Sequence, residues 1–99
     1  MMQQPFHLPH KEAEGYVIPL GPLNLVFIAT DIGLVGCGAI DVKALDRFGY
    51  PAAKARPGRG DIIATLEDLC GGVIREVNKN ASARGIKEGI PVREALLLL

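Results

Sequence analysis

In the first half of the chain, the stretch 23–30 alternates weakly between apolar and polar positions and is rich in β-forming residues, a pattern typical of a β-strand. Turn signals at Gly21-Pro22 and at 31–33 divide this part into three stretches. They predict strands over 15–20, 23–30 and 34–37. Because both faces of these strands are apolar, we expect either that helices cover one face and a second subunit the other, or that the sheet extends across a subunit boundary.

Helix signals dominate the second half of the chain. N-capping residues precede three short helical patterns, namely Asp41, Thr65 and Asn78, and Pro91 opens a last helix. Asp68 follows Thr65 at the spacing of a capping box, in which each residue satisfies a backbone N–H near the other. Short helices are therefore expected to alternate with the later strands.

The order of these elements predicts one α+β domain, since 99 residues suffice for a single core. Further strands at 61–64 and 73–77 give a mixed, mostly antiparallel sheet of about five strands with several short helices. We expect a flexible N-terminal leader over 1–14 and the folded domain over 15–99. Within that domain, 15–40 is the β-rich part that we expect to mediate oligomerisation.

The chain is richer in apolar residues than a small monomer needs. Apolar residues make up 48% of the sequence, and counting the 12 glycines in place of the tyrosines brings the share above half. On that definition soluble domains usually reach only ~45–50%. A domain of this size buries about two thirds of its unfolded surface. We therefore expect a homo-oligomer whose interface takes up the surplus.

Charge and cysteine content exclude several classes of protein. Eleven basic residues balance eleven acidic ones, so the chain lacks the cationic excess of a typical nucleic-acid binder. Cys37 and Cys70 are too few for a disulfide scaffold, which favours the reducing cytoplasm. Prolines, glycines and Asp31 interrupt the apolar stretch 15–40, so no membrane-spanning helix is expected. We also expect no secretory signal peptide.

No metal or cofactor is predicted. His7 and His10 have a spacing that a metal could use, but they lie in the expected leader. Gly36-x-Gly38-x-x-Asp41 matches most of the dinucleotide-binding fingerprint, yet an aspartate at its last position would repel a pyrophosphate.

Cys37 is the first candidate for chemistry. It stands where a predicted strand gives way to a helix, and Gly38 beside it would let a ligand approach closely. A cysteine there is either a nucleophile or a small packed residue. The expected folded part contains no histidine, so the base would have to be another side chain or come from another subunit.

Four charged residues are candidates for ligand binding. Asp31 suits a turn and Asp41 suits a helix N-cap. Ligand binding is the second interpretation of each residue. Arg59 ends a basic loop that either holds a phosphate or carboxylate or is simply solvated. Arg93 lies early in the last helix, where a cation opposes the helix dipole and should have a specific partner.

Two blocks of the sequence carry a family resemblance. The first block is Asp31-x-Gly33-x-x-x-Cys37-Gly38-Ala39-x-Asp41, and the second is Gly85-Ile86-Lys87-x-Gly89 with Arg93-Glu94-Ala95-Leu96. Over about 15–99 the chain resembles the YunC-like family, a bacterial and archaeal domain of unknown function. The resemblance implies an α+β domain whose N-terminal β-rich part forms a tetramer, and it implies no activity. Between 41 and 65 the chain departs from the pattern, because a helix that is longer in relatives is cut short.

Three functional hypotheses are compatible with the sequence. The protein is a structural or regulatory oligomeric module, a binder of a small anionic metabolite, or a cysteine-dependent enzyme that uses Cys37. The binder would use the turn from Cys37 to Asp41 together with Arg59 or Arg93 at a subunit junction. Since no complete catalytic set is evident, the first two hypotheses are favoured.

Overall fold

A computed structural model describes residues 1–99 as a six-stranded sheet with four short helices. The strands are β1 (Met2–His7), β2 (Glu12–Pro19), β3 (Asn24–Ala29), β4 (Leu34–Gly36), β5 (Ala52–Arg56) and β6 (Val73–Val77). The helices are α1 (Val42–Asp46), α2 (Leu66–Cys70), α3 (Lys79–Ser82) and α4 (Val92–Leu96). Strands lie side by side in chain order, and only β4 and β5 are parallel. The α+β class and the mixed, mostly antiparallel sheet are confirmed.

The sheet has six strands rather than about five. The predicted strand at 61–64 is irregular, and β5 includes the first three residues of the segment 54–59 that was expected to be a basic loop. In β5, Ala53 and Ala55 are buried in the core, whereas Arg56 is exposed. Small apolar residues that alternate with longer cationic ones suit a strand with one buried face, although alanine and lysine have weak strand propensity.

The first fourteen residues also depart from the expected flexible leader. Strand β1 pairs with β2 along its whole length, and β2 begins at Glu12. Phe6 and Leu8 pack against the core. Pro5 and neighbouring polar residues obscure this strand in the sequence, but a proline is tolerated at a sheet edge because it need not donate to the ladder.

Helices α2 and α4 cover one face of the sheet. Their buried side chains join the inward residues of the strands in one cluster of 19 buried residues. Leu96 and Leu99 belong to this cluster, while Leu97 is 49% exposed, so the terminal leucine run is divided between core and surface. None of the helices combines the length and the apolar character needed to cross a bilayer.

Helix α1 packs on the opposite face of the sheet, at β5. Val42 of α1 and Ala52 are buried but lie outside the main cluster, as expected because side chains alternate along a strand. Over β2 and β3 this outer face carries partly exposed apolar side chains. Among them, the rings of Tyr16 and Phe27 stack with centroids 4.7 Å apart.

The N-caps predicted from the sequence are confirmed. The Asp41 carboxylate accepts a hydrogen bond of 3.0 Å from the backbone N–H three residues on. Thr65 and Asp68 form a reciprocal capping box at the start of α2. Asn78 caps α3. Local side-chain bonds therefore set the starts of three of the four helices.

Asn78 also joins three elements through a buried side chain that is only 4% exposed. Its Nδ2 donates to the carbonyl oxygens of Val42 at 2.9 Å and Tyr50 at 2.8 Å. Its Oδ1 accepts from the backbone N–H groups of Ala52 at 3.2 Å and Ala81 at 2.9 Å. One amide thus ties α1, the start of β5 and α3 together, with both donors and both acceptor positions in use.

We expect Asn78→Ala to lower the free energy of unfolding by about 3 kcal/mol or more, measured by urea denaturation. The change leaves several buried backbone groups without their partner, and each such group costs roughly 1–3 kcal/mol. Asn24→Ala is the control, because the Asn24 side chain makes one hydrogen bond, of 3.0 Å, to the Ala64 carbonyl. Equal losses in the two variants would contradict the joining role of Asn78.

Candidate functional site

A cleft of about 230 Å³ opens at the carboxyl ends of the parallel strands β4 and β5. Parallel strands end at the same edge of a sheet, so Cys37, which follows β4, and Arg56, which ends β5, both line it. Open sheets that contain parallel strands commonly bind ligands in such a crevice. We call this feature the β4–β5 cleft.

The turn after β4 forms one wall of the cleft. The Cys37 N–H donates to the carbonyl oxygen of Val26 at 2.9 Å, and the Cys37 carbonyl accepts from Ile40 at 3.2 Å. These bonds hold a tight turn that exposes Gly38 and Ala39 while the Cys37 side chain is buried. A Cβ added at Gly38 would have no neighbour within 4 Å, so the wall is open at this residue.

Two arginines from neighbouring strands form the second wall, Arg56 on β5 and Arg75 on β6. The β5–β6 register shifts beside Ala55, which leaves Arg75 as the extra residue of a β-bulge. Bulges re-aim a side chain, and they recur beside active sites. Both arginines are exposed, and neither takes part in the ion pairs or side-chain hydrogen bonds of the chain.

The irregular segment 61–64 forms the third wall. It contributes Asp61, Ile62 and Ile63, and Leu23 faces them from the turn before β3. The Asn24 side chain holds this segment to β3 through its bond to the Ala64 carbonyl. A segment predicted to extend the sheet therefore closes the cleft instead.

Only two of the predicted site residues, Cys37 and Gly38, line the β4–β5 cleft. Asp41 lies close by in the chain, but its carboxylate is engaged as the cap of α1. The first part of the turn from Cys37 to Asp41 therefore lines the cleft, and its role in a binding site stays a prediction.

Asp31 lies at the β3–β4 turn, at the other end of β4 from Cys37. Its carboxylate accepts from the Lys11 ammonium group at 2.8 Å, and this bond holds the pKa of Asp31 below its usual value. The turn itself depends on Thr30, whose hydroxyl accepts from the N–H groups of Ile32 at 3.0 Å and Gly33 at 3.2 Å. Asp31 is therefore neither the turn former nor part of the cleft.

Arg59 and Arg93 lie apart from the cleft and from each other. Arg59 lines a small surface cavity with Glu67 and Asp68. Arg93 flanks Cys70 beneath β1. Burial raises the pKa of the Cys70 thiol, and the positive charge of Arg93 only partly opposes this shift. Cys70 is a packed core residue.

Arg75 and Asp61 were not predicted as site residues, and Arg56 was assigned to the basic loop that either holds a phosphate or carboxylate or is solvated. Arg75 stands in a predicted strand with nothing to indicate a bulge, because a register shift depends on the neighbouring strand. Arg56 could have been found from the alternation of small and cationic residues over 52–56, which indicates a strand that ends in a cation.

The side chains of the β4–β5 cleft suit the binding of an anion. Arg56 and Arg75 offer forked donors for a carboxylate or phosphate, and the exposed turn at Gly38 lets a ligand approach. Asp61 is the only side chain lining the cleft that could act as a general base for the Cys37 thiol. The arrangement therefore suits ligand binding better than cysteine catalysis.

The fold and the cleft define a small α+β domain with a ligand-sized crevice at a strand edge. A family model described as a domain of unknown function, DUF1805, matches residues 36–99. The uncharacterized protein YunC of Bacillus subtilis (strain 168) is 34% identical over 83 residues, which cover 81% of this chain and 78% of that protein. The chain belongs to this YunC-like family of unknown function.

A solved structure shares the fold. It is the crystal structure of TA1206, a protein of unknown function from Thermoplasma acidophilum, with a TM-score of 0.82 and 24% sequence identity. The match covers 96% of this chain and 90% of that one. No specific biochemical function accompanies the family or these relatives.

We expect Gly38→Ala to be tolerated and Gly36→Ala to be destabilising, although the two glycines flank the same cysteine. A Cβ at Gly38 meets open space, whereas one at Gly36 would overlap Ile40 and press on Phe27. Overpacking typically costs about 1–3 kcal/mol, while a compatible alanine raises stability by ~0.5 kcal/mol. Thermal unfolding of both variants tests this, and a large loss in Gly38→Ala would contradict the open wall.

Proposed function

We propose that the protein binds a small organic anion in the β4–β5 cleft. The observation that supports this most is the pair of exposed arginines, Arg56 and Arg75, on adjacent strands and without acidic partners. The planar guanidinium group of an arginine matches the geometry of a carboxylate or phosphate. The buried Cys37 side chain also lines the cleft, and we propose that it contributes to binding rather than to covalent chemistry.

The volume of the cleft limits the size of the ligand. About 230 Å³ is smaller than the ~300–1,000 Å³ typical of sites for drug-sized molecules. One water takes up about 30 Å³ in the liquid, so the cleft holds roughly seven or eight non-hydrogen atoms. This range fits a small metabolite rather than a nucleotide.

Arg56→Gln and Arg75→Gln should each weaken the binding of acetate and inorganic phosphate by about tenfold. A hydrogen bond to a charged group contributes ~1.5–3 kcal/mol to binding. At a solvent-exposed site we expect a contribution at the lower end of this range. Binding can be followed by the NMR shifts of the Gly38 and Ala39 amides during titration.

Arg59→Gln is the matched control for these variants, because Arg59 is exposed and cationic but lines a different cavity. It should leave binding unchanged. Anion binding that depends on Arg59 and not on Arg75 would contradict the proposed site.

We further propose that the chain forms a homo-oligomer, with a homotetramer as the specific expectation, through the outer face of its N-terminal strands. Tyr16, Ile18, Phe27 and Ala29 are partly exposed on this face, over β2 and β3. Apolar side chains from adjacent strands make a continuous patch, which is typical of an interaction surface. The proposal accounts for the apolar surplus of the sequence.

The reducing cytoplasm is the proposed location. Cys37 and Cys70 are both free and buried, which fits a compartment where thiols stay reduced.

Ile18→Glu should shift the protein from an oligomer toward a monomer, because a carboxylate would be buried at the proposed interface. Size-exclusion chromatography with light scattering at micromolar concentration measures the mass directly. Phe48→Glu is the control, since Phe48 is 83% exposed beyond the end of α1 and does not belong to the patch on β2 and β3. A wild-type protein that is a stable monomer would contradict the proposal.

A further inference from the structure

The β4–β5 cleft combines its cationic wall with an unusually apolar rim. Leu23 is 49% exposed and Ile62 is 66% exposed, and both line the same cleft as Arg56 and Arg75. Large aliphatic side chains that stay in contact with water gain free energy when a ligand covers them. The rim therefore offers binding energy to the apolar part of a ligand.

The rim is fixed in place by backbone and side-chain bonds. Leu23 follows the tight turn in which the Leu20 N–H donates to the Leu23 carbonyl at 2.8 Å. Ile62 lies in the segment that Asn24 holds to β3. Both side chains thus project from anchored backbone, and an aliphatic ligand can be bound with little ordering of the protein.

Asp61 influences which ligand charge the cleft favours. Its carboxylate lies in the same wall as Ile62, so the two arginines and Asp61 together leave one net positive charge along the cleft. One positive charge balances a monoanion, whereas a phosphate dianion would leave the cleft with a net negative charge and would be repelled more strongly by Asp61. A carboxylate is also the planar group that a guanidinium fork recognises.

We infer that the ligand of the β4–β5 cleft is an aliphatic monocarboxylate, with its carboxylate at Arg56 and Arg75 and its hydrocarbon chain against Leu23 and Ile62. This inference rests on the proposed anion-binding function and specifies its ligand. With room for roughly seven or eight non-hydrogen atoms, the cleft takes an acid of about five or six carbons.

The test is a titration with unbranched acids from acetate to octanoate, followed by the NMR shifts of the Gly38 and Ala39 amides. Affinity should rise by up to about fourfold for each added methylene, and the rise should stop near hexanoate, where the chain leaves the cleft. The methyl ester of hexanoic acid should not bind, because it lacks the charge that the arginines recognise.

Ile62→Ser separates the apolar contribution from the ionic one. Because Ile62 is largely exposed, the variant should fold and abolish most of the gain in affinity from acetate to hexanoate. Leu97→Ser is the matched control, since Leu97 is 49% exposed but does not line this cleft. It should retain the full dependence on chain length.

Asp61→Asn tests the charge of the ligand. Removing this carboxylate should improve the affinity for inorganic phosphate more than the affinity for hexanoate. A wild-type protein that prefers phosphate to every carboxylate would overturn the inference.

The remaining outcomes distinguish the two proposals. Equal affinity for acetate and hexanoate, or a chain-length dependence that survives Ile62→Ser, overturns the aliphatic ligand and leaves the anion site standing. If neither phosphate nor any carboxylate shifts the Gly38 and Ala39 amides, the anion-binding function itself is overturned.

Discussion

The buried amide of Asn78 is the interaction on which the central part of the fold depends. Its four hydrogen bonds join the start of α1, the residues around the start of β5 and the cap of α3. The first two belong to the crossover that leads from β4 to β5, and α3 follows β6. A buried amide with every donor and acceptor satisfied favours a single arrangement, because any shift would leave a polar group unpaired.

The crossover makes β4 and β5 parallel, and this determines where the cleft lies. Had the chain returned by a hairpin, the residue after β4 would lie beside the start of β5 and far from Arg56. The parallel pair instead brings the turn at Cys37 and the end of β5 to one edge, where β6 adds Arg75 through its bulge. The geometry of the cleft is therefore a consequence of the connection between its strands.

Local features of this fold could be predicted from the sequence, and features set by distant contacts could not. The caps at Asp41, Thr65 and Asn78 were found because each cap needs only its own side chain and the next few residues. The strands over 2–7 and 52–56 were missed because alanine, lysine and proline have weak strand propensity, and pairing with neighbouring strands overrides it. Cys37 and Gly38 were placed in the site, whereas Arg75 needed the register of another strand.

The net charge of the chain does not reveal the cationic wall of the β4–β5 cleft, which depends on the local distribution of charges. The chain is neutral overall, yet Arg56 and Arg75 lie together without acidic partners while other charges pair, such as Lys11 with Asp31 and Lys54 with Glu76. Exposed ion pairs contribute little to the free energy of unfolding, so folding alone does not explain why these two arginines form none. Two arginines that form no ion pair beside an exposed aliphatic rim are better explained by a ligand with both an anionic and an apolar part than by folding.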